Sequence, residues 1–231
     1  MAARVRLAVF DCDGTLVDSQ ANICRAMELA FDSARLPPPD RPAIRRIVGL
    51  SLVEAIARLA PEAEPALHAA MAEDYKHHFR AMRMRGGLAD EPLFDGIPEA
   101  IERLAADGWL LGVATGKSDR GLALILEHHG LARHFVTLQT ADRHPSKPHP
   151  SMLELAMAEA GASPRDTVMI GDTSFDMAMA DAAGVHAIGV AWGYHTAAEL
   201  TAAGARHVCE HAATLPEVAE ALCGAASEAR A

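Results

Sequence analysis

The run Val5-Arg6-Leu7-Ala8-Val9-Phe10-Asp11-Cys12-Asp13-Gly14-Thr15-Leu16-Val17-Asp18-Ser19 decides how this chain is read. Residues 5–10 are short, apolar and β-prone, and they stop at once in a polar turn. The pattern predicts a buried strand whose carboxyl end is acidic. Asp11 and Asp13 are two apart, so an extended backbone places both on one face. There one carboxylate can attack while the other handles a proton. Cys12 is expected to point the opposite way and pack in the core, although a reactive thiol between two aspartates would make the protein oxidant-sensitive.

Working outward, residues 17–86 carry helical rhythm and nothing strand-like. Helices are predicted at 19–35, 40–48, 51–60 and 64–84, broken by Pro37-Pro38-Pro39, Gly49 and Pro61. After Gly86-Gly87 the rhythm alternates. Strands are predicted at 109–114, 136–138, 167–170, 186–190 and 207–208, with helices at 97–107, 120–129, 150–160, 174–183, 196–203 and 214–223. Alternation of this kind implies an α/β fold, a doubly wound, Rossmann-like parallel sheet with helices on both faces. Strand 5–10 belongs to that sheet, so residues 1–16 and 87–231 form the core and 17–86 are inserted as an all-helical cap. The Ala-rich tail from Cys223 is expected to fray.

A length of 231 residues suits one core domain with a smaller second unit. The 21 basic and 31 acidic side chains leave a net charge of −10, which argues against nucleic acid or an anionic membrane as partner. The four cysteines, Cys12, Cys24, Cys209 and Cys223, show no metal-finger spacing and read as the reduced thiols of a cytoplasmic protein. Asp11 and Asp13 interrupt the apolar stretch near the start, so no signal peptide is expected, and no run is long enough for a membrane helix.

Ligands of doubly wound sheets bind at the carboxyl ends of the strands. Those ends read Asp11 and Asp13, Thr115-Gly116-Lys117, Ser146-Lys147-Pro148, and Gly171-Asp172-Thr173-Ser174-Phe175-Asp176. Crowded carboxylates repel one another and need a cation, and hard oxygen ligands favour Mg2+. A Lys and a Thr beside them suit a phosphate, while Gly14, Gly116 and Gly171 let backbone N–H groups approach it closely. Only three lysines occur, Lys76, Lys117 and Lys147, and two of them stand at strand ends. Lys117 is read as a surface residue at a helix start, and Thr15 as a turn residue supporting Asp13. The pairs His77-His78 and His128-His129 cannot share a helix face and are read as surface. His149 and His195 are loop candidates for substrate contact, Met177 and Met179 are core, and Arg45 near Gly49 is a cap group able to reach a substrate anion.

Taken together, Asp11-Cys12-Asp13-Gly14-Thr15-Leu16-Val17-Asp18-Ser19 resembles the first signature of the haloacid dehalogenase superfamily of phosphohydrolases. Ala114-Thr115-Gly116-Lys117 is similar to its second motif, Lys147-Pro148 to its third, and Gly171-Asp172 with Asp176 to its fourth. The motifs occur in order and span most of the chain. The insert resembles the cap of the subfamily that includes phosphoglycolate phosphatases and β-phosphoglucomutases. The resemblance implies that Asp11 attacks phosphorus, that Asp13 protonates the leaving alkoxide and later activates water, and that Thr115, Gly116 N–H and Lys147 hold the phosphoryl oxygens. It implies Mg2+ on Asp11, the Asp13 carbonyl and Asp172, with Asp176 and Thr15 behind them.

Competing functions differ in what they require. A phospho-accepting receiver-like signalling module places its aspartate on a later strand and has no helical insert. A dehalogenase does not need Asp13, and a phosphonate hydrolase needs a cap lysine that the stretch after Arg46 lacks. A β-phosphoglucomutase-like enzyme carries an arginine beyond the Gly-Leu-Ser turn, where Leu52 stands. The expectation is therefore a phosphatase for a small phosphorylated metabolite; the resemblance in cap position and motif spelling implies 2-phosphoglycolate foremost, with sugar phosphates, nucleoside monophosphates and pyrophosphate left open. Monomer and homodimer are left open too.

Overall fold

The computed structural model describes residues 4–86 and 91–228. Strand β1 (Leu7–Phe10) is buried along its whole length. It is followed by four helices, α1 (Gln20–Ser33), α2 (Arg41–Arg45), α3 (Leu52–Leu59) and α4 (Pro65–Gly86). The remainder alternates α5 (Ile97–Ala106), β2 (Leu110–Thr115), α6 (Asp119–His128), β3 (Phe135–Thr140), α7 (Ser151–Ala160), β4 (Thr167–Gly171), α8 (Ser174–Ala183), β5 (His186–Val190), α9 (Ala197–Ala202), β6 (His207–Cys209) and α10 (Leu215–Glu228).

The six strands form one sheet in the order β3-β2-β1-β4-β5-β6, and every pairing is parallel. Because β1 is central, both its faces are covered. Ala8 and Phe10 join the apolar cluster of α5, α6 and α10, while Leu7 and Val9 join that of α7, α8 and α9. That two-sided burial explains why residues 7–10 read as a continuous apolar run without alternation. The order reverses at β1, so the crevice beyond its carboxyl end lies at the switch point of the sheet.

Helices α1 to α4 enclose a third cluster of their own, built on Ile23, Met27, Phe31, Ile44, Ile56 and Met71. The chain leaves and re-enters the sheet layer through two strands of backbone lying side by side. Asp18 N donates to Pro92 O at 2.9 Å and Phe94 N to Leu16 O at 3.0 Å. A helical insertion in an α/β sheet is thus observed as expected.

Two expectations need correction. Strand β3 is longer than 136–138 because its polar ends are satisfied inside the fold: Gln139 Nε2 donates to Thr137 Oγ1 at 2.7 Å and to Glu159 Oε2 at 2.8 Å. The tail from Cys223 does not fray at once, since α10 continues to Glu228 with Cys223 in the core.

Candidate active site

The parallel pairing of β1 with β2 and β4 brings the sequence-predicted strand ends to one crevice. Asp11 is anchored there by its own backbone, whose N–H donates to Ile170 O at 2.9 Å. Its Oδ1 accepts from Cys12 N at 2.6 Å. Its Oδ2 is buried and faces the Lys147 ammonium at 3.0 Å as an ion pair. Asp172, at the end of β4, accepts from Thr15 Oγ1 at 2.8 Å and from Tyr194 N at 2.9 Å. Asp176 opens α8 in a capping box with Thr173 and accepts from Lys147 Nζ at 2.6 Å. Oxygens of Asp11, Asp172 and Asp176 lie within 4.8 Å of one another.

Three carboxylates and one ammonium in a closed site leave an excess of negative charge. Burial lifts the Asp11 carboxyl to about 7, even with Lys147 pulling the other way. Asp172 is pushed well above the usual range by burial and then by Asp11 and Asp176. Burial alone would lower Lys147, but Asp11 and Asp176 outweigh it and hold the ammonium above its ordinary value. Such a site accommodates a hard divalent cation better than it accommodates nothing. All its donors are oxygens, and three carboxylates share one ammonium.

Glycine is required where backbone meets this cluster. Gly14 has φ +83°, and a Cβ there would stand 2.2 Å from Asp172 Oδ2 and 2.5 Å from the Tyr194 ring. On the other side of the crevice, Thr115 is buried at the end of β2, its Oγ1 accepting from Lys117 N at 3.3 Å. Gly116 lies under the cap, since a Cβ there would meet Leu50 O at 2.5 Å and Gly49 O at 2.9 Å. Gly49 is thereby brought to the strand ends, beside Thr173 as well. Arg45 is not. Its Nη1 donates to Gln20 Oε1 at 3.3 Å, and it lines a cavity of about 280 Å3 with Asp18, Gln20, Cys24, Arg41 and Pro92.

The sequence reading misplaces three further side chains. Lys117 is not a surface residue: the loop before α6 turns across the strand ends, and Lys117 Nζ donates to Asp13 Oδ1 at 2.5 Å. The same Asp13 oxygen accepts from Ser19 Oγ. Thr15 supports Asp172, not Asp13, because the turn after β1 folds its hydroxyl toward β4. Cys12 packs in the core as expected, and burial pushes its thiol well up, which disfavours the thiolate that oxidation needs. His149 is exposed and accepts from Ser151 N at the start of α7, so it stays off the crevice.

His195 is buried at the seam between cap and core, its ring nitrogens on Ser174 N at 3.1 Å and Arg46 O at 3.3 Å. Two groups escaped the sequence reading altogether: Tyr194 and the buried pair of Arg83 with Glu91, which no local pattern marked. Ser19 and Lys117 stood inside the first and second motifs without a role of their own, and the scarcity of lysine was a further signal for Lys117.

A doubly wound sheet with this aspartate-rich switch point and a helical insert defines a class, the phosphohydrolases of the first-strand aspartate. The family model for haloacid dehalogenase-like hydrolases matches residues 8–190, and the chain belongs to that family, as an enzyme of its phosphatase type. It is 40% identical over 202 residues to the probable phosphatase IndB of Dickeya dadantii, covering 85% of this chain and 86% of that protein. It is 31% identical over 195 residues to a phosphoglycolate phosphatase of Yersinia pseudotuberculosis, covering 83% of each. Among solved structures, a hydrolase from Pseudomonas syringae superposes with a TM-score of 0.82 at 24% identity, over 93% of this chain and 98% of that one.

Proposed function

We propose that this chain is a Mg2+-dependent phosphomonoesterase acting on a small phosphorylated metabolite, 2-phosphoglycolate foremost, through an aspartyl-phosphate on Asp11. The observation that carries the reading is the buried cluster of Asp11, Asp172 and Asp176, three carboxylates beside the single ammonium of Lys147. The Asp11 and Asp172 carboxylates and the Asp13 backbone carbonyl would hold the ion. Bound there, Mg2+ supplies neutralising charge to the phosphoryl group.

The chain's own residues carry the rest. An Asp11 oxygen attacks phosphorus, the ester P–O bond breaks, and the leaving alkoxide takes its proton from Asp13. Water then attacks the same phosphorus, Asp13 takes the water's proton, the bond from Asp11 to phosphorus breaks to restore the carboxylate, and orthophosphate leaves. Thr115 Oγ1, Gly116 N–H and Lys147 Nζ hold the phosphoryl oxygens, where charge grows in the transition state. Asp176 orients Lys147, and Thr15 orients Asp172, both from behind the reacting atoms. On the cap, Gly49 closes over Gly116, while Arg45, held on Gln20 in a separate cavity, takes no part in the step. The cap comprises residues 17–86 and the core residues 1–16 and 87–231, of which 1–3, 87–90 and 229–231 lie outside the described structure.

The relative named a phosphoglycolate phosphatase supports the substrate, and the cap seated on Gly116 supports a small one, because bulky esters would have no room. Among the described residues no helix is long and apolar enough to cross a membrane, which agrees with a cytoplasmic enzyme of metabolites. The test is phosphate release from 2-phosphoglycolate, sugar phosphates, nucleoside monophosphates and pyrophosphate, with Mg2+, with EDTA, and with Asp11→Asn. Turnover lost in both controls is expected. A folded, Mg2+-binding protein that hydrolyses none of them overturns the reading.

A further inference from the structure

Among the described residues, two buried side-chain polar atoms make no hydrogen bond: Asp11 Oδ2 and the hydroxyl of Tyr194. The first has its account in the proposed chemistry. The second has none, and a phenol buried without an acceptor gives up its hydration for nothing in return.

Tyr194 stands in the loop after β5, and its backbone N–H donates to Asp172 Oδ2. One edge of its ring lies against Gly14, in the turn between Asp13 and Thr15. Beyond that edge the side chain packs on the apolar cluster of the cap. The ring is therefore wedged between core and cap, directly over the turn that carries Asp13. Burial, followed by the carboxylates of Asp13, Asp172 and Asp18, keeps the phenol protonated, so the hydroxyl is a neutral donor.

The same cap cluster contributes two more aromatic rings. Tyr75 and Phe79 of α4 stack at 5.7 Å, and Lys117 Nζ lies 5.7 Å from the centre of the Phe79 ring while it holds Asp13. Tyr75 and Tyr194 are the only tyrosines in the chain, and both lie within the field of Asp13. The cations on this side are already committed, Lys117 to Asp13 and Arg83 to Glu91. Tyr194 is the donor left over. A phenylalanine would fill the same wedge without the cost of an unanswered hydroxyl.

We propose that Tyr194 is a substrate-binding residue whose hydroxyl donates a hydrogen bond to an oxygen on the organic half of the phosphoester, a hydroxyl or carboxylate oxygen near the ester link. The inference rests on the phosphomonoesterase reading and adds a selection rule to it: esters with a second oxygen on the leaving group are preferred over those with a bare alkyl group. Lys147 and Thr115 recognise what all substrates share, and Tyr194 recognises what distinguishes them.

The test compares wild type with Tyr194→Phe on 2-phosphoglycolate, glycerol 1-phosphate and ethyl phosphate. Phenylalanine retains the contact with Gly14 and leaves the backbone N–H on Asp172, and a thermal melt checks that the variant is folded. The ratio of kcat/KM for either oxygenated ester to kcat/KM for ethyl phosphate is expected to fall about 10- to 100-fold in the variant, the usual effect of removing one donor to a substrate oxygen. Equal losses on all three esters mean a merely structural tyrosine and overturn the inference, as does an unchanged ratio. Wild-type protein that hydrolyses none of the three overturns the phosphatase reading, and this inference with it.

Discussion

At the hinge, Arg83 grips the fully buried Glu91 with two N–H···O bonds of 2.8 and 2.7 Å, while at the strand ends Lys147 faces Asp11 and Asp176 with Asp172 close behind. Both are ionic clusters closed off from water. In the first, one cation answers one anion, the geometry is bidentate, and Asn22 adds a further donor to Glu91. In the second, one cation answers three carboxyl groups. The balanced cluster fastens two connections of the chain together. The unbalanced one is held in place by its neighbours, Thr15, Thr173 and Tyr194 N, and can be completed only by something from outside. Burial of charge is common to both, so it is the imbalance that separates the reactive region from the structural one.

The comparison breaks most visibly at Asp11. Asp11→Asn is expected to lower turnover by roughly 10^4-fold or more, since nucleophile and ion ligand go together. The same change relieves repulsion, so the cation-free variant should melt at a higher temperature than wild type. A lower melting temperature would show that the crevice is not under electrostatic tension.

Next comes the hinge. Glu91→Ala leaves Arg83 largely buried without a partner and is expected to cost about 3 kcal/mol in denaturant unfolding, while turnover per folded molecule changes only a few-fold. A cost under about 1 kcal/mol would mean that the pair is solvated in practice.

The imbalance itself can be titrated. Asp11 holds its proton up to about 7 in the fold but releases it near 3.8 when unfolded, and Asp172 shifts in the same direction. The native state thus carries more protons across that window, and cation-free stability falls as pH rises through it. Mg2+ binds the deprotonated form, so its effect on the melting temperature should be several degrees greater at pH 8 than at pH 5. Equal shifts at the two pH values would detach the ion from these carboxylates.

Lys117→Met probes the intermediate case, a pair only partly shielded from water. About a tenfold fall in kcat is expected from loosening Asp13. No change in kcat would return Lys117 to a bystander role.

Much of this was legible in the chain itself. The strand ends could be found because periodicity locates strands and doubly wound sheets put ligands at one edge, so Asp11, Thr115, Lys147 and Asp172 followed from position alone. What stayed hidden was the direction of side chains in turns. Lys117 and Asp13 are 104 residues apart, and nothing local tells whether a lysine after a strand turns outward or across the edge. Thr15 was assigned to the wrong aspartate for the same reason. Arg83 and Glu91 read as an ordinary charged helix end and linker until packing removed the water between them. Tyr194 carried no motif, and its importance lies in a bond that the protein does not make.

The central place of β1 bears on how the molecule is made. Leu7–Phe10 leaves the ribosome before either of its neighbours, and its second flank is not covered until β4, ending at Gly171, has been synthesised. At ordinary elongation rates that interval is roughly 10 to 30 s. The helices of the insert pack on one another, α1 against α4 above all, within a stretch that is complete long before β4, and can collapse within that time, whereas the apolar strand must wait, adhesive and unpaired, beside the very aspartates it will later present. Translation speed and chaperone supply therefore bear on this protein through its first strand more than through any surface it exposes once folded.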